Sequence, residues 1–207
     1  MKISVSILNA KDKKETIKIL NNTDISYFHI DVMDGQFVSQ VSLPVKEIIE
    51  ISEVSEKKLD IHLMHSSPLS YIEKIKDLKN IEYITIHLEI EEDIQNTLNK
   101  IKEYGFKSGI SIKPNTDINK LIPYLNDIDL ILIMTVEPGL GGQSFLENSP
   151  TRIKAIKNLI KDKNILLEVD GGINDKTIRL VKDADMAVVG SYITTSDNMI
   201  EKVKTLV

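Results

Sequence analysis

Short apolar runs of four to seven residues, rich in Ile, Val and Leu, recur along the chain. Between most of them lie longer stretches whose apolar positions fall three or four residues apart. The first pattern predicts buried strands and the second amphipathic helices. Strands are expected near residues 2–8, 27–32, 58–64, 83–87, 107–112, 130–136, 165–169 and 186–189. Helices are expected near 12–21, 44–51, 68–77, 92–104, 117–124, 149–161, 175–182 and 197–206. At one helix start, Ser67 before Pro68 offers a capping hydroxyl and a ring whose missing N–H does no harm in the first turn.

Every strand is followed by a helix, which predicts a parallel sheet. Eight such units in 207 residues average about 26 residues each, the scale of a minimal single-domain (β/α)₈ TIM barrel. An open doubly wound sheet is the rival. It usually has fewer parallel strands, and the first strand-to-helix turn, Asn9 to Lys13, lacks the glycine fingerprint of dinucleotide sheets. No linker-like segment divides the chain, so one domain is expected over 1–207.

Alternation then sorts side chains between the barrel interior and the helix-facing side. In YFHIDVMD, Phe28, Ile30 and Val32 go outward, leaving Tyr27, His29, Asp31 and Met33 inside. The same rule turns Asp60, His62 and Met64 inward, then Thr85 and His87, then Glu168 and Asp170. Unpaired carboxylates in an apolar interior are strongly unfavourable, so these groups need cations, donors or a metal. His29, Asp31, His62 and Asp170 have the ligand types for Zn²⁺, Mn²⁺, Fe²⁺ or Co²⁺. Asp60 and Glu168 sit lower on their strands, as partners of neighbouring groups. His87 reads equally as a core histidine or a supporting donor, Asp34 with Gly35 equally as turn chemistry or as part of the site, and His65 as a loop residue.

Composition narrows the function classes. Lys plus Arg is 26 against 31 Asp plus Glu, a net charge of −5, with no long basic block, so duplex nucleic acid and anionic membranes are not expected partners. The longest apolar run, Leu130 to Met134, is too short to span a membrane, and the first residues lack the apolar core of a secretory signal. With no cysteine, a thiolate metal site is excluded, and the composition suits a reducing cytoplasm. Glycine-rich segments follow the last three strands: PGLGGQSF, DGG and GS. There, backbone amides can approach an anion without any basic side chain. Gly139, Gly141, Gly142, Gly171, Gly172, Gly190 and Ser191 are therefore expected to cradle a phosphate.

These residues, taken in order, resemble the ribulose-phosphate 3-epimerase family of the ribulose-phosphate-binding barrels. The resemblance runs through SILNA at Ser6, HIDVMDG at His29, DIHLM at Asp60 and IHLE at Ile86. It continues through IKPNT at Ile112, MTVEPGLGGQSF at Met134, EVDGG at Glu168 and VGS at Val189. It implies metal-dependent interconversion of D-ribulose 5-phosphate and D-xylulose 5-phosphate. One divalent ion per subunit, Zn²⁺ foremost, would sit on His29, Asp31, His62 and Asp170, with Asp31 and Asp170 also the acid and base. Ser6, Met33, Met64 and Met134 would line the sugar, and homo-oligomers would be common. QFVSQ after Gly35 replaces the family's usual HFVPN, Leu140 replaces a phenylalanine, and His65 a valine. These departures bear on loop closure and substrate preference. A D-allulose 6-phosphate 3-epimerase and a catalytically silent phosphosugar-binding barrel are the competing readings.

Overall fold

The computed structural model describes residues 1–206. Eight parallel strands close into a barrel: β1 (Lys2–Ser6), β2 (Tyr27–Asp34), β4 (Lys58–Met64), β5 (Ile81–His87), β6 (Lys107–Ile112), β7 (Leu130–Met134), β8 (Leu166–Asp170) and β9 (Met186–Val189). Each pairs in parallel with the next, and β1 pairs with both β9 and β2, which closes the ring. A further two-residue strand, β3 (Val41–Ser42), adds antiparallel to the end of β2. The result is a single-domain (β/α)₈ barrel.

Five longer helices lie outside the strands: α1 (Lys13–Asn21), α2 (Val45–Val54), α3 (Pro68–Ile75), α4 (Ile94–Glu103) and α5 (Ser149–Leu159). The two short helices α6 (Ser191–Thr194) and α7 (Met199–Lys204) follow the last strand. Two expected helices are 3₁₀ turns instead, Ile118–Tyr124 and Ile178–Val181. In the first, Pro123 has no N–H for an α-helical bond, and Asp117 takes the Asn119 amide. Helix starts are capped by Asp12, Asp93 and Asn198, each accepting an amide N–H three residues on. Ser67 precedes Pro68 as expected, but its hydroxyl caps nothing. The Leu69 amide donates to Glu92 across the neighbouring loop.

Parity holds around the ring. Phe28, Ile30, Ile61, Leu63, Ile84 and Ile86 pack with the helices in one continuous apolar layer. Inside the barrel, Tyr27, Tyr83, Leu130, Leu132 and Met186 fill the lower end. The rings of Tyr27 and Tyr83 meet edge to face at 5.7 Å. Within this plug, Ser4, Asp60 and Glu168 are the polar inward groups at the level of Tyr27, Tyr83 and Met186, and the candidate ligands Asp31, His62 and Asp170 lie above them toward the strands' C-terminal ends. No helix among the described residues is long and apolar enough to cross a membrane.

Candidate active site

Cross-strand register gathers the polar inward residues. β2 and β4 pair with His29 opposite Asp60 and Asp31 opposite His62. β7 and β8 pair with Met134 opposite Asp170. One donor atom each from His29, Asp31, His62 and Asp170 lies within 4.8 Å of every other. Around this centre His29 Nε2 is 3.4 Å and His62 Nδ1 3.2 Å from the same Asp31 oxygen, while Asp170 lies 3.9 Å from His62 Nδ1.

The surroundings aim these atoms. Asp60, fully buried, accepts from His29 Nδ1 at 2.7 Å and from the Ser4 hydroxyl at 2.9 Å. A carboxylate only accepts, so His29 carries a proton on Nδ1 and turns Nε2 to the shared centre, where a cation would take the place of any proton on that nitrogen. That buried Nε2 has no hydrogen-bond partner within the protein. The Ser6 hydroxyl donates to Asp31 Oδ2 at 2.7 Å, leaving Oδ1 for the shared centre. The Ser42 hydroxyl holds the Asp31 backbone carbonyl at 2.6 Å, which gives the unexpected strand β3 its role here. A buried orphan imidazole nitrogen among two carboxylates and a second imidazole is a two-nitrogen, two-oxygen donor set that fits a borderline divalent cation.

Charge is divided unevenly between the two aspartates. Burial raises Asp31, but adjacent His29 and His62 outweigh it and hold the carboxyl far below its ordinary range. Burial together with the charge of Asp31 pushes Asp170 up to about 6. Burial pulls His29 down, yet the carboxylates of Asp60 and Asp31 keep it well above 6.5. Deeper in, burial and the nearby Asp60 push Glu168 well above 4.5. Both Glu168 oxygens and Asp60 Oδ1 are buried without a hydrogen-bond partner in the protein. From the protein's own groups, the site thus holds one ionised and one readily protonated aspartate, the division that acid–base chemistry needs.

Above this floor opens a cavity of about 330 Å³. Asp31 and Asp170 line it, as does every residue expected to hold the substrate, from Ser6 and the three methionines to Gly190 and Ser191. His29 and His62 lie below, fully buried. No Lys or Arg among the described residues lines the cavity, so an anion there meets backbone amides and hydroxyls. Gly172 has φ +66°, and a Cβ there would lie 2.5 Å from the Phe145 amide nitrogen. A Cβ on Gly141 would run into the side chain of Asn9.

Asn9, Gln143 and Asn174 also line the cavity and escaped the sequence reading. Asn9 sits in SILNA, one residue beyond a run that periodicity alone reads as ordinary strand end. Asp34 is turn chemistry: its carboxylate accepts from the amides of Gln36, Phe37 and Ser66. His65 lies just past β4 and accepts the Ser67 amide at 3.0 Å.

Comparison with known proteins decides the family. A model of the ribulose-phosphate 3 epimerase family matches residues 2–194. The chain belongs to that family. The ribulose-phosphate 3-epimerase of Helicobacter pylori (strain J99) is 36% identical, covering 95% of this chain and 92% of its own. That of Bacillus subtilis is 34% identical over 93% and 92%. The chain is accordingly an isomerase acting on carbohydrate derivatives. Among solved structures, orotidine 5'-phosphate decarboxylase from Pyrococcus horikoshii superposes with a TM-score of 0.71 at 15% identity, covering 99% of this chain and 96% of that one. 3-Hexulose-6-phosphate synthase from Salmonella typhimurium gives 0.68 at 16%, covering 100% and 96%. At such identities these two speak to the fold alone.

Proposed function

We propose that this epimerase interconverts D-ribulose 5-phosphate and D-xylulose 5-phosphate, with Asp31 and Asp170 moving the proton at carbon 3 and His29, Asp31, His62 and Asp170 holding one divalent cation. The observation that carries the reading is the convergence of those four side chains on the floor of a glycine-rimmed cavity. Inverting carbon 3 of a 2-ketose means removing a proton beside a carbonyl and returning one to the opposite face. Two acid–base groups, one for each face, are the economical solution. Asp31 and Asp170 reach the cavity from β2 and β8, with β1 and β9 between them.

Asp31, ionised, accepts the proton from carbon 3, and the Ser6 hydroxyl keeps its carboxylate oriented. Asp170 delivers one from the other side. In the reverse direction their roles exchange. A bound divalent cation supplies Lewis-acid stabilisation of the charge that develops on the sugar oxygens. Zn²⁺, Fe²⁺, Mn²⁺ and Co²⁺ all suit the donor set, Zn²⁺ foremost. Met33, Met64 and Met134 give uncharged, polarizable walls that do not compete for the proton. Amides of the segments at Gly141, Gly172 and Ser191 take the phosphate.

Chelator-stripped protein is expected to lose turnover of D-ribulose 5-phosphate and to regain it when one of these cations is added back. Full activity with no metal detectable by elemental analysis refutes the metal requirement. A much higher kcat/KM for D-allulose 6-phosphate reassigns the sugar.

A further inference from the structure

Two side chains outside the four candidate ligands line up behind His62. His62 Nε2 lies 2.9 Å from His87 Nε2, and His87 Nδ1 lies 3.1 Å from a Glu89 oxygen. The other Glu89 oxygen accepts the Lys113 amide at 2.9 Å and the Thr116 hydroxyl. Both imidazoles are fully buried. The Phe37 ring lies 4.6 Å from that of His87 and carries the Lys113 ammonium on its face. The two imidazoles of this line are therefore closed off from competing water, and the Glu89 side chain at its outer end stays about one-fifth exposed.

Which atoms can donate decides where the protons sit. An ionised carboxylate only accepts, so the bond to Glu89 places a proton on His87 Nδ1. A neutral imidazole has one N–H, which leaves His87 Nε2 bare. The facing His62 Nε2 must then be the donor, and His62 Nδ1 keeps its lone pair. Nδ1 is the atom that faces Asp31 and Asp170. His29 receives the same service directly from Asp60. His62 has no carboxylate at its far nitrogen, and His87 spans the gap to one.

We propose that Glu89 and His87 are positioning residues that hold His62 as the Nε2–H tautomer, so that its Nδ1 stays available to the cation. This rests on the metal reading above. Orientation of a ligating imidazole by its second nitrogen is a general device, and loss of such a partner costs about 10- to 100-fold in metal affinity. A purely space-filling role for the pair predicts no such loss.

Glu89→Gln tests the idea with almost no change of shape. The Lys113 amide and the Thr116 hydroxyl hold the new amide oxygen, so its NH₂ faces His87 Nδ1. It donates where Glu89 accepted, the His87 proton moves to Nε2, and two N–H groups confront each other at His62. Affinity for Co²⁺, measured by competition with a chromophoric chelator, is expected to fall about 10- to 100-fold while the melting temperature of the metal-free protein holds. His87→Phe is expected to lose a similar factor. His87→Gln keeps an acceptor toward His62 and a donor toward Glu89, and should recover most of the affinity. In the Zn²⁺-loaded wild type, long-range ¹H–¹⁵N spectra should show His87 protonated at Nδ1 and bare at Nε2. Wild-type affinity in Glu89→Gln, equal losses in both His87 variants, or the opposite His87 tautomer overturns the proposal while leaving the metal site intact. Absence of stoichiometric Co²⁺ binding by the wild type ends the metal reading itself.

Discussion

Asp170→Asn is expected to stabilise the metal-free protein near pH 8 while removing its activity. Asp170, its side chain 17% exposed, lies beside the ionised Asp31, and partial burial together with that charge raises its pKa from the ordinary 3.8 to about 6. The folded state therefore binds this proton more tightly than the unfolded chain. The contribution is favourable below about pH 4 and is lost as pH rises through 6, because the ionised form is strained only in the folded state. A rise from 3.8 to about 6 corresponds to about 3 kcal/mol. Asparagine keeps the shape without the charge and recovers up to that amount at pH 8. For a domain of this size about 3 kcal/mol is roughly 6 to 12 °C in Tm. The gain should shrink to a small fraction near pH 4, where Asp170 is protonated in the folded state and about half protonated in the unfolded one. Thermal melts of chelator-treated wild type and variant at pH 8 and pH 4 measure it. Adding Co²⁺ at pH 8 should reverse the order, since a cation that binds only the folded site stabilises the wild type by RT ln(1 + [L]/Kd). An unchanged or lower Tm for the metal-free variant at pH 8, or a gain that ignores pH, refutes the electrostatic account.

Other perturbations separate the parts of the site. Ser6→Ala deletes the hydroxyl on Asp31 Oδ2. A hydrogen bond to a charged group is worth about 1.5 to 3 kcal/mol, so kcat/KM should drop at least about tenfold, with metal content by elemental analysis unchanged. Asp60→Asn weakens the grip on His29 Nδ1 and should cut Co²⁺ affinity about 10- to 100-fold, read by chelator competition. Gly172→Ala puts a methyl against the Phe145 backbone at a positive φ. It should raise KM and inhibition constants for phosphosugars together and leave Co²⁺ affinity in place; an unaltered KM would remove this segment from the phosphate cradle.

Much of the architecture was legible because closure of a parallel barrel demands strands of one type. Phe28, Ile30 and Val32 alternate so cleanly with His29 and Asp31 that inward and outward faces could be assigned before any coordinates. The candidate ligands followed from that parity. Local chemistry was less transparent. Pro123 turned an expected α-helix into a 3₁₀ turn, and β3 exists through pairing with β2, a long-range contact that no window of sequence contains. The network behind the ligands was hidden for the same reason. Asp60 faces His29 through the register of β2 on β4, and His87 reaches His62 from β5. Inward parity placed each on the right face, but the register that pairs them is fixed across strands. The glycine segments were recognisable by composition, whereas Asn9 and Asn174 lie beside them through loop conformation.

The account stands on proton transfer by Asp31 and Asp170, and isotope exchange reads that step directly. D-Ribulose 5-phosphate turned over in D₂O by the Co²⁺-loaded wild type should acquire deuterium at carbon 3 in both epimers, followed by NMR. Asp31→Asn and Asp170→Asn should each suppress that exchange by at least about 10²-fold, the low end of the contribution of a positioned acid or base. Epimerisation without deuterium at carbon 3, or undiminished exchange in both variants, would contradict it.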